Sequence, residues 1–374
     1  MRLPTIALFA ASAFVATPFV ATPFVATRFV ATPFASVSGR TQRPDVEVVA
    51  TGLTVPWSIA VAPDNRIFVN ERPGKIRVMS GGKLADAAWA EIRVLDGNAR
   101  NYETGLMGLA LDPDFAHTPF VYVCFTLPTG TEPQFNRVVR LRETNDRGGE
   151  PEVLIDSIPA GQYHNGCRLK FGPDGKLFIS TGDAYKESPS QDPSSLAGKI
   201  LRINRDGSIP SDNPVKGSRM WAMGLRNAQA MAFEPGTGRL VLVEHGSGDV
   251  DEVNIVRKGG NYGWPIIKEA TTDPRFIAPA LIFHAGPGGA TFLTGRAGVR
   301  GLIAATLSGE RLMRFTVDST TARIVQDTVL TGYGRLRDVV EAPDGSLLVA
   351  TSNKDRRGKP TTDDDRILRV RLHK

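Results

Sequence analysis

Only two cysteines, Cys124 and Cys167, occur in the 374 residues, which excludes a fold held by a framework of disulfides. Whether they pair or remain buried thiols is open at this level. Beyond the N-terminus no segment approaches 18 consecutive apolar residues, so no retained membrane span is expected there. A long amphipathic helix is also missing, which leaves strands to carry the fold. The formal charge is +6, yet Lys and Arg stand singly among acids, with no basic stretch to track a phosphate backbone. Nucleic acid is therefore not an expected partner.

What is present begins with a targeting segment. Arg2 gives a positive start, Ile6 to Val15 is apolar, and Ala-Ser-Ala at 11–13 and Ala-Ser-Val-Ser at 35–38 are candidate cleavage neighbourhoods. Between them lies a five-residue repeat, FVATP FVATP FVATR FVATP (14–33), whose prolines break a spanning helix. Residues 1–40 read as an export segment, and 41–374 as one domain of a periplasmic or secreted protein.

That domain repeats itself. Ala62-Pro63-Asp64-Asn65, Asp112-Pro113-Asp114-Phe115, Gly172-Pro173-Asp174-Gly175, Glu234-Pro235-Gly236 and Ala342-Pro343-Asp344-Gly345 are turns, each followed by a run of β-formers. The prolines are 50, 60, 62 and 108 residues apart, so one copy is degenerate, near GLIAATL (301–307). A second series, KIRV (75–78), VVRL (138–141), ILRI (200–203), LMRF (312–315) and ILRV (367–370), repeats an Arg at the same place, and EVNIV (252–256) fills its gap. Both series count six units, the signature of a six-bladed β-propeller of four-stranded antiparallel sheets. VEVVATGL (46–53) is expected to close the ring, and the repeated arginines to lie exposed near blade edges.

Function in such a scaffold belongs to residues the repeats do not explain. His164, in GQYHNGCRLKFGPDG (161–175), precedes a strand and is a candidate general base or a structural loop residue. Arg226 and Asn227 offer adjacent donors for a carboxylate or quinone oxygen, or stabilise a turn. The segment 243–265 gathers Glu244, Asp249, Asp251 and Glu252 among glycines, oxygen donors of the kind Ca²⁺ accepts, or a solvated acidic turn. Arg335 and Arg337, two apart on a strand, share a face and call for an anion between them.

These segments together resemble the PQQ-dependent sugar dehydrogenases, the soluble glucose dehydrogenase and aldose sugar dehydrogenase family. The landmarks run in order: GLTVPWSIAVAPD (52–64), ETGLMGLALDPDF (103–115), HNGCRL (164–169), LRNAQAMAF (225–233), VDEVNIVRKGGNYGWP (250–265) and GRLRDV (334–339). The resemblance implies oxidation of an aldose at its anomeric carbon to a lactone, with PQQ and Ca²⁺ as cofactors and an unidentified electron acceptor. It makes His164 the general base and puts Arg226 and Asn227 at the reactive quinone carbonyl. Arg335 and Arg337 would face the PQQ carboxylates, with Glu103 near the cofactor. The Gly246 and Ser247 carbonyls would hold the active-site Ca²⁺, which polarises the quinone, and Glu252 with the Tyr262 backbone a second, structural one. Ser308, in LSGERL (307–312), stands where the family has a PQQ-contacting Lys, a loss of about one or two kcal/mol of affinity. Cys167 replaces a Gly. Two other readings stay open: a Ca²⁺-dependent lactone hydrolase on a similar ring, and a binding propeller without catalysis.

Overall fold

A computed structural model describes residues 43–373, except 101, 129–133, 249, 296–299 and 318–323. Residues 1–40, expected to be an export segment, and Asp249 lie outside the described residues. Alternating β-formers between Pro-Asp turns fold into six antiparallel sheets, and the described residues contain no helix beyond two short 3₁₀ turns. Blade 1 begins with Pro56–Val61, blade 2 with Leu106–Leu111 and blade 3 with Gly166–Phe171. Asn227–Phe233, Pro287–Thr294 and Leu336–Glu341 open blades 4, 5 and 6. Each of these first strands contacts the next, and Leu336–Glu341 returns to Pro56–Val61, so they line a closed central channel.

Every Pro-Asp turn joins the first strand of a blade to its second. The degenerate copy is the second strand of blade 5, Arg300–Thr306. Ring closure uses both ends of the domain. Asp45–Ala50 pairs antiparallel with Ile367–Arg371, with Val46 opposite Val370, so the first ordered strand completes blade 6 and removes a sheet edge. Two blades exceed four strands. Lys83–Leu84 and Ala90–Glu91 both pair with Lys75–Ser80 in blade 1, and Arg147–Gly148 and Glu152–Ala160 both pair with Gln134–Thr144 in blade 2.

Neighbouring sheets pack face to face through apolar side chains. Phe68, Leu106, Val123 and Leu141, for example, form one buried cluster between blades 1 and 2. Cys124, on the second strand of blade 2, and Cys167, on the first strand of blade 3, are joined in a disulfide across this kind of interface. The repeated arginines depart from the expected exposure. Arg202 is only 3% exposed and bonds Asp174 and Asp212, while Arg140 pairs with Glu152 and Arg314 with Asp327. Their aliphatic stems cover blade surface while the guanidinium groups meet turn or next-strand carboxylates.

A bulge recurs at one end of the channel. In all six blades the first strand slips register near its start, between Pro56 and Ser58, Leu106 and Leu109, Gly166 and Leu169, Ala228 and Ala230, Pro287 and Ala290, and Leu336 and Asp338. An extra residue there re-aims the neighbouring side chains and leaves backbone groups free for the loops above.

Candidate functional site

The loops that precede the bulged strands converge on Glu103. Its Oε2 accepts the His164 backbone N–H at 3.0 Å and the Asn227 side-chain amide at 3.5 Å, and its Oε1 accepts Arg357 Nη1 at 3.2 Å. Burial pushes the Glu103 carboxyl up, but Arg357, His245 and His164 outweigh it and hold the group at about 2. Glu103 is therefore a fixed negative charge, contributed by blade 2 to residues of blades 3, 4 and 6.

His164 sits just before the blade 3 first strand with φ of 59°, a left-handed conformation that few non-glycine residues adopt. Gly166, at φ 60°, continues the turn, and a Cβ on Gly182 would collide with the His164 carbonyl. The imidazole Nδ1 lies 2.8 Å from Asp183 Oδ1, and Asp183 Oδ2 accepts Trp264 Nε1 at 2.9 Å. A carboxylate can only accept, so His164 donates from Nδ1 and keeps the lone pair on Nε2. The His164 side chain is 12% exposed and packs edge-on to Tyr185 at 5.0 Å between centroids.

Beside Glu103 opens a cleft of about 770 Å³. Arg226, Arg311, Arg335 and Arg357 line it, together with His245 and Ser308. Arg226 rests over the Trp264 ring at 5.4 Å, and its Nε is buried without a hydrogen-bond partner; so is Arg311 Nε. Four guanidinium groups against few acids make the cleft a receptor for an anion. The charge that Ser308 fails to provide is supplied three residues later, by Arg311 in the same LSGERL segment. A smaller cavity, with Trp57, Arg72, Gln229 and Arg337 in its wall, lies on the other side of Glu103.

Two expectations are corrected. Arg226 and Asn227 do not act as one fork. The Asn227 carbonyl accepts the Gly166 N–H and its amide reaches Glu103 at 3.5 Å, while Arg226 lines the cleft. The anion between Arg335 and Arg337 belongs to the chain itself. Asp355 Oδ2 accepts Arg335 Nε at 3.0 Å and Nη2 at 2.9 Å and lies 3.7 Å from Arg337 Nη2. Arg337 also donates to Gln229 at 2.8 Å, so of this pair Arg335 alone lines the cleft.

The groups assigned to two calcium ions converge on one small cavity. Gly246, Ser247, Glu252 and Tyr262 line it with Glu244, and Gly246 also borders the cleft. Its free volume of about 10 Å³ is the room of one water-sized sphere. Burial and the neighbouring Glu252 push Glu244 up to about 8, and burial raises Glu252 as well. A buried and a half-buried carboxylate that resist ionising together, beside backbone carbonyls, suit a hard divalent cation. Among the described residues no three His, Cys, Asp or Glu side chains form a metal cluster, so carbonyls must complete any such shell. Asp183, His245, Arg311, Asp355 and Arg357 were missed from the sequence. Asp183 had a signal, the TGD that ends a second strand.

A family model for glucose/sorbosone dehydrogenase matches residues 53–360. The chain belongs to the glucose/sorbosone dehydrogenase family. It is 32% identical over 359 residues to the uncharacterized protein slr1608 of Synechocystis sp., covering 84% of this chain and 86% of that protein. Quinoprotein glucose dehydrogenase B of Acinetobacter calcoaceticus is 34% identical over 253 residues, 59% of this chain but only 52% of that enzyme. The PQQ-bound form of an aldose sugar dehydrogenase from Streptomyces coelicolor superposes with a TM-score of 0.79 at 35% identity, covering 88% of this chain and 99% of that one. The family's six-bladed fold and its sugar dehydrogenases agree with the resemblance carried by the sequence motifs.

Proposed function

We propose that this chain is an exported, PQQ- and Ca²⁺-dependent dehydrogenase that oxidises aldoses at the anomeric carbon to lactones, and that His164 is its general base. The observation that carries this reading is the Trp264–Asp183–His164 chain beside a cleft lined with arginines. Asp183 holds the imidazole in one tautomer, so Nε2 can take the proton of the anomeric hydroxyl. Glu103 fixes the His164 backbone and carries the negative charge that favours the imidazolium formed. Tyr185, 64% exposed next to the His164 ring, offers an aromatic face for the sugar.

PQQ is a tricarboxylate, and the cleft fits such a group in size and in charge. Arg226, Arg311 and Arg335 would hold it, and when bound it supplies the two-electron acceptor for the anomeric hydride. Gly246, which borders both the cleft and the small cavity, and Ser247, which lines the cavity, would hold a Ca²⁺ facing the cofactor through their carbonyls. Glu244, Glu252 and Tyr262 line the same cavity and would complete the shell of that one ion. The disulfide supports an oxidising compartment, consistent with export directed by residues 1–40 ahead of the propeller at 41–374. Among the described residues no helix is long and apolar enough to cross a membrane.

The test is direct. Purified protein is supplied with PQQ and Ca²⁺ and assayed for aldose oxidation with a dye acceptor over a broad sugar panel. Sugar-dependent dye reduction that requires both additions is expected. No turnover with any sugar, together with no retained quinone absorbance, would sink the proposal; lactone hydrolysis without PQQ would favour the hydrolase instead.

A further inference from the structure

The channel has a second mouth, at the far ends of the six first strands, where a cavity of about 550 Å³ opens. Below the bulges the strands run on to the turns, and their last residues line this cavity. One level of this lining takes Ala60, Ala110, Lys170, Met231, Thr291 and Val340, one from each blade. Five are small or apolar and one is a lysine. Ala110 on the neighbouring blade 2 and Ala60 on blade 1 leave room on that side of the lysine. Pro63, Pro113 and Pro343 of the repeated turns, with Leu111 and Phe171, form apolar walls towards the opening.

Lys170 makes no ion pair, and its ammonium no hydrogen bond, among the described residues. The three acids in the wall are engaged elsewhere. Asp112 Oδ1 lies 3.0 Å from Arg205 Nη1. Asp338 Oδ1 lies 3.1 Å from Arg168 Nη1, and its Oδ2 accepts the Ile59 N–H at 2.8 Å. Glu341 accepts the Thr294 N–H at 2.9 Å. Arg168, two residues before Lys170 on the same strand face, closes the cavity from above. It is 5% exposed, donates Nε to the Gln229 carbonyl and Nη1 to Ser58, and leaves Nη2 buried with no partner. Burial pushes the Lys170 ammonium below its usual range, against the pull of Asp338. A half-buried ammonium and a buried, free guanidinium N–H, in a chamber whose carboxylates are already engaged, leave unmet the hydrogen bonds that an anion would complete.

We propose that this mouth is a second ligand site, for a small amphipathic monocarboxylate whose head meets Lys170 and Arg168 and whose apolar body lies against the turn prolines. One available ammonium and one free N–H match a single negative charge. The carboxylates of Asp112, Asp338 and Glu341 in the wall would repel a dianion such as phosphate more than a monoanion. The volume suits a medium-chain or single-ring acid.

Isothermal titration calorimetry with octanoate, against octan-1-ol and octylamine, tests this on the full folded protein. Octanoate should bind saturably, and each control should be weaker by about ten-fold or more. Lys170→Met should weaken octanoate by a similar factor, Lys170→Arg should retain it, and Ala110→Leu, which fills the chamber without touching charge, should weaken all three probes. Equal binding of octanoate and octan-1-ol overturns the site, as does the absence of saturable heat. Octanoate binding that survives Lys170→Met but is lost in Arg311→Met also overturns it, because the acid then sits in the upper cleft.

Discussion

At their starts, the six innermost strands are bulged and present Trp57, Gln229 and Arg337 to the channel; a few residues later the same strands run on to the turns and present Ala60, Met231 and Val340. The first end meets long loops that differ from blade to blade and carry Glu103, His164, Asp183, Arg226 and Asp355. The second meets Pro-Asp turns in four blades and the related Glu234-Pro235-Gly236 turn in blade 4. One scaffold therefore makes a charged mouth rich in arginines and one whose charges are fewer and mostly paired. The difference lies in how much each blade's loop is free to depart from the repeat. Lys170 is, among the described residues, the unpaired cation at the second mouth, as the ion-paired Asp355 is the moderating acid among the arginines of the first.

The comparison can be broken most strongly at Asp183. Asp183→Asn can donate to Nδ1, which moves the His164 proton to Nε2 and removes the base. Turnover should fall by about 10²-fold or more while PQQ uptake stays intact, read by steady-state assay alongside quinone absorbance. A fall in PQQ uptake with unchanged turnover per bound cofactor would assign Asp183 to the cleft instead.

Acid should act on the charged mouth through Glu103. Its folded value of about 2 lies below the ordinary value of 4.5, so the stability it contributes is complete above 4.5 and is lost as pH falls through about 2. The interval is worth at most about 3 kcal/mol at 1.36 kcal/mol per pH unit. Denaturant unfolding of wild type and Glu103→Gln between pH 5 and 2 should show a stability difference that shrinks as pH falls. A difference independent of pH would mean that Glu103 is not held ionised.

The smallest expected effect is at Ser308. Ser308→Lys adds a fifth cation to a cleft that already has Arg311, and should tighten PQQ by about ten-fold or less, measured by titration of quinone absorbance. Loss of PQQ affinity would show that the cleft has no room for the longer side chain.

The scaffold was legible because its signals are local and repeated. Pro63, Pro113, Pro173, Pro235 and Pro343 preset turns whatever surrounds them, and the strand-forming runs after them count the blades. The degenerate copy at 301–307 was recoverable from spacing alone. The site was legible only in part. His164, Arg226 and Arg335 stand out from the repeat, but their partners come from distant segments: Asp183 from 19 residues away and Asp355 from 20, each beyond the second strand of the same blade, and Glu103 from 61, on another blade. No periodicity links such positions. That is why Arg335 and Arg337 read as awaiting an external anion, when the last loop of the chain returns Asp355 between them. The contacts of Asn227 with Gly166 and Glu103 were hidden for a similar reason, since those residues lie on different blades. The disulfide was undecidable from two cysteines 43 residues apart, and became evident once blades 2 and 3 were adjacent.

The claim on which the rest depends is that the charged mouth oxidises a sugar through His164. It is tested most directly by single-turnover reduction of the PQQ-loaded protein by excess aldose, comparing wild type with His164→Gln by the change in quinone absorbance. The account predicts rapid reduction in wild type, and in His164→Gln full loading with PQQ but a rate lower by about 10²- to 10⁴-fold. Equal rates in the two proteins, with equal loading, would contradict it.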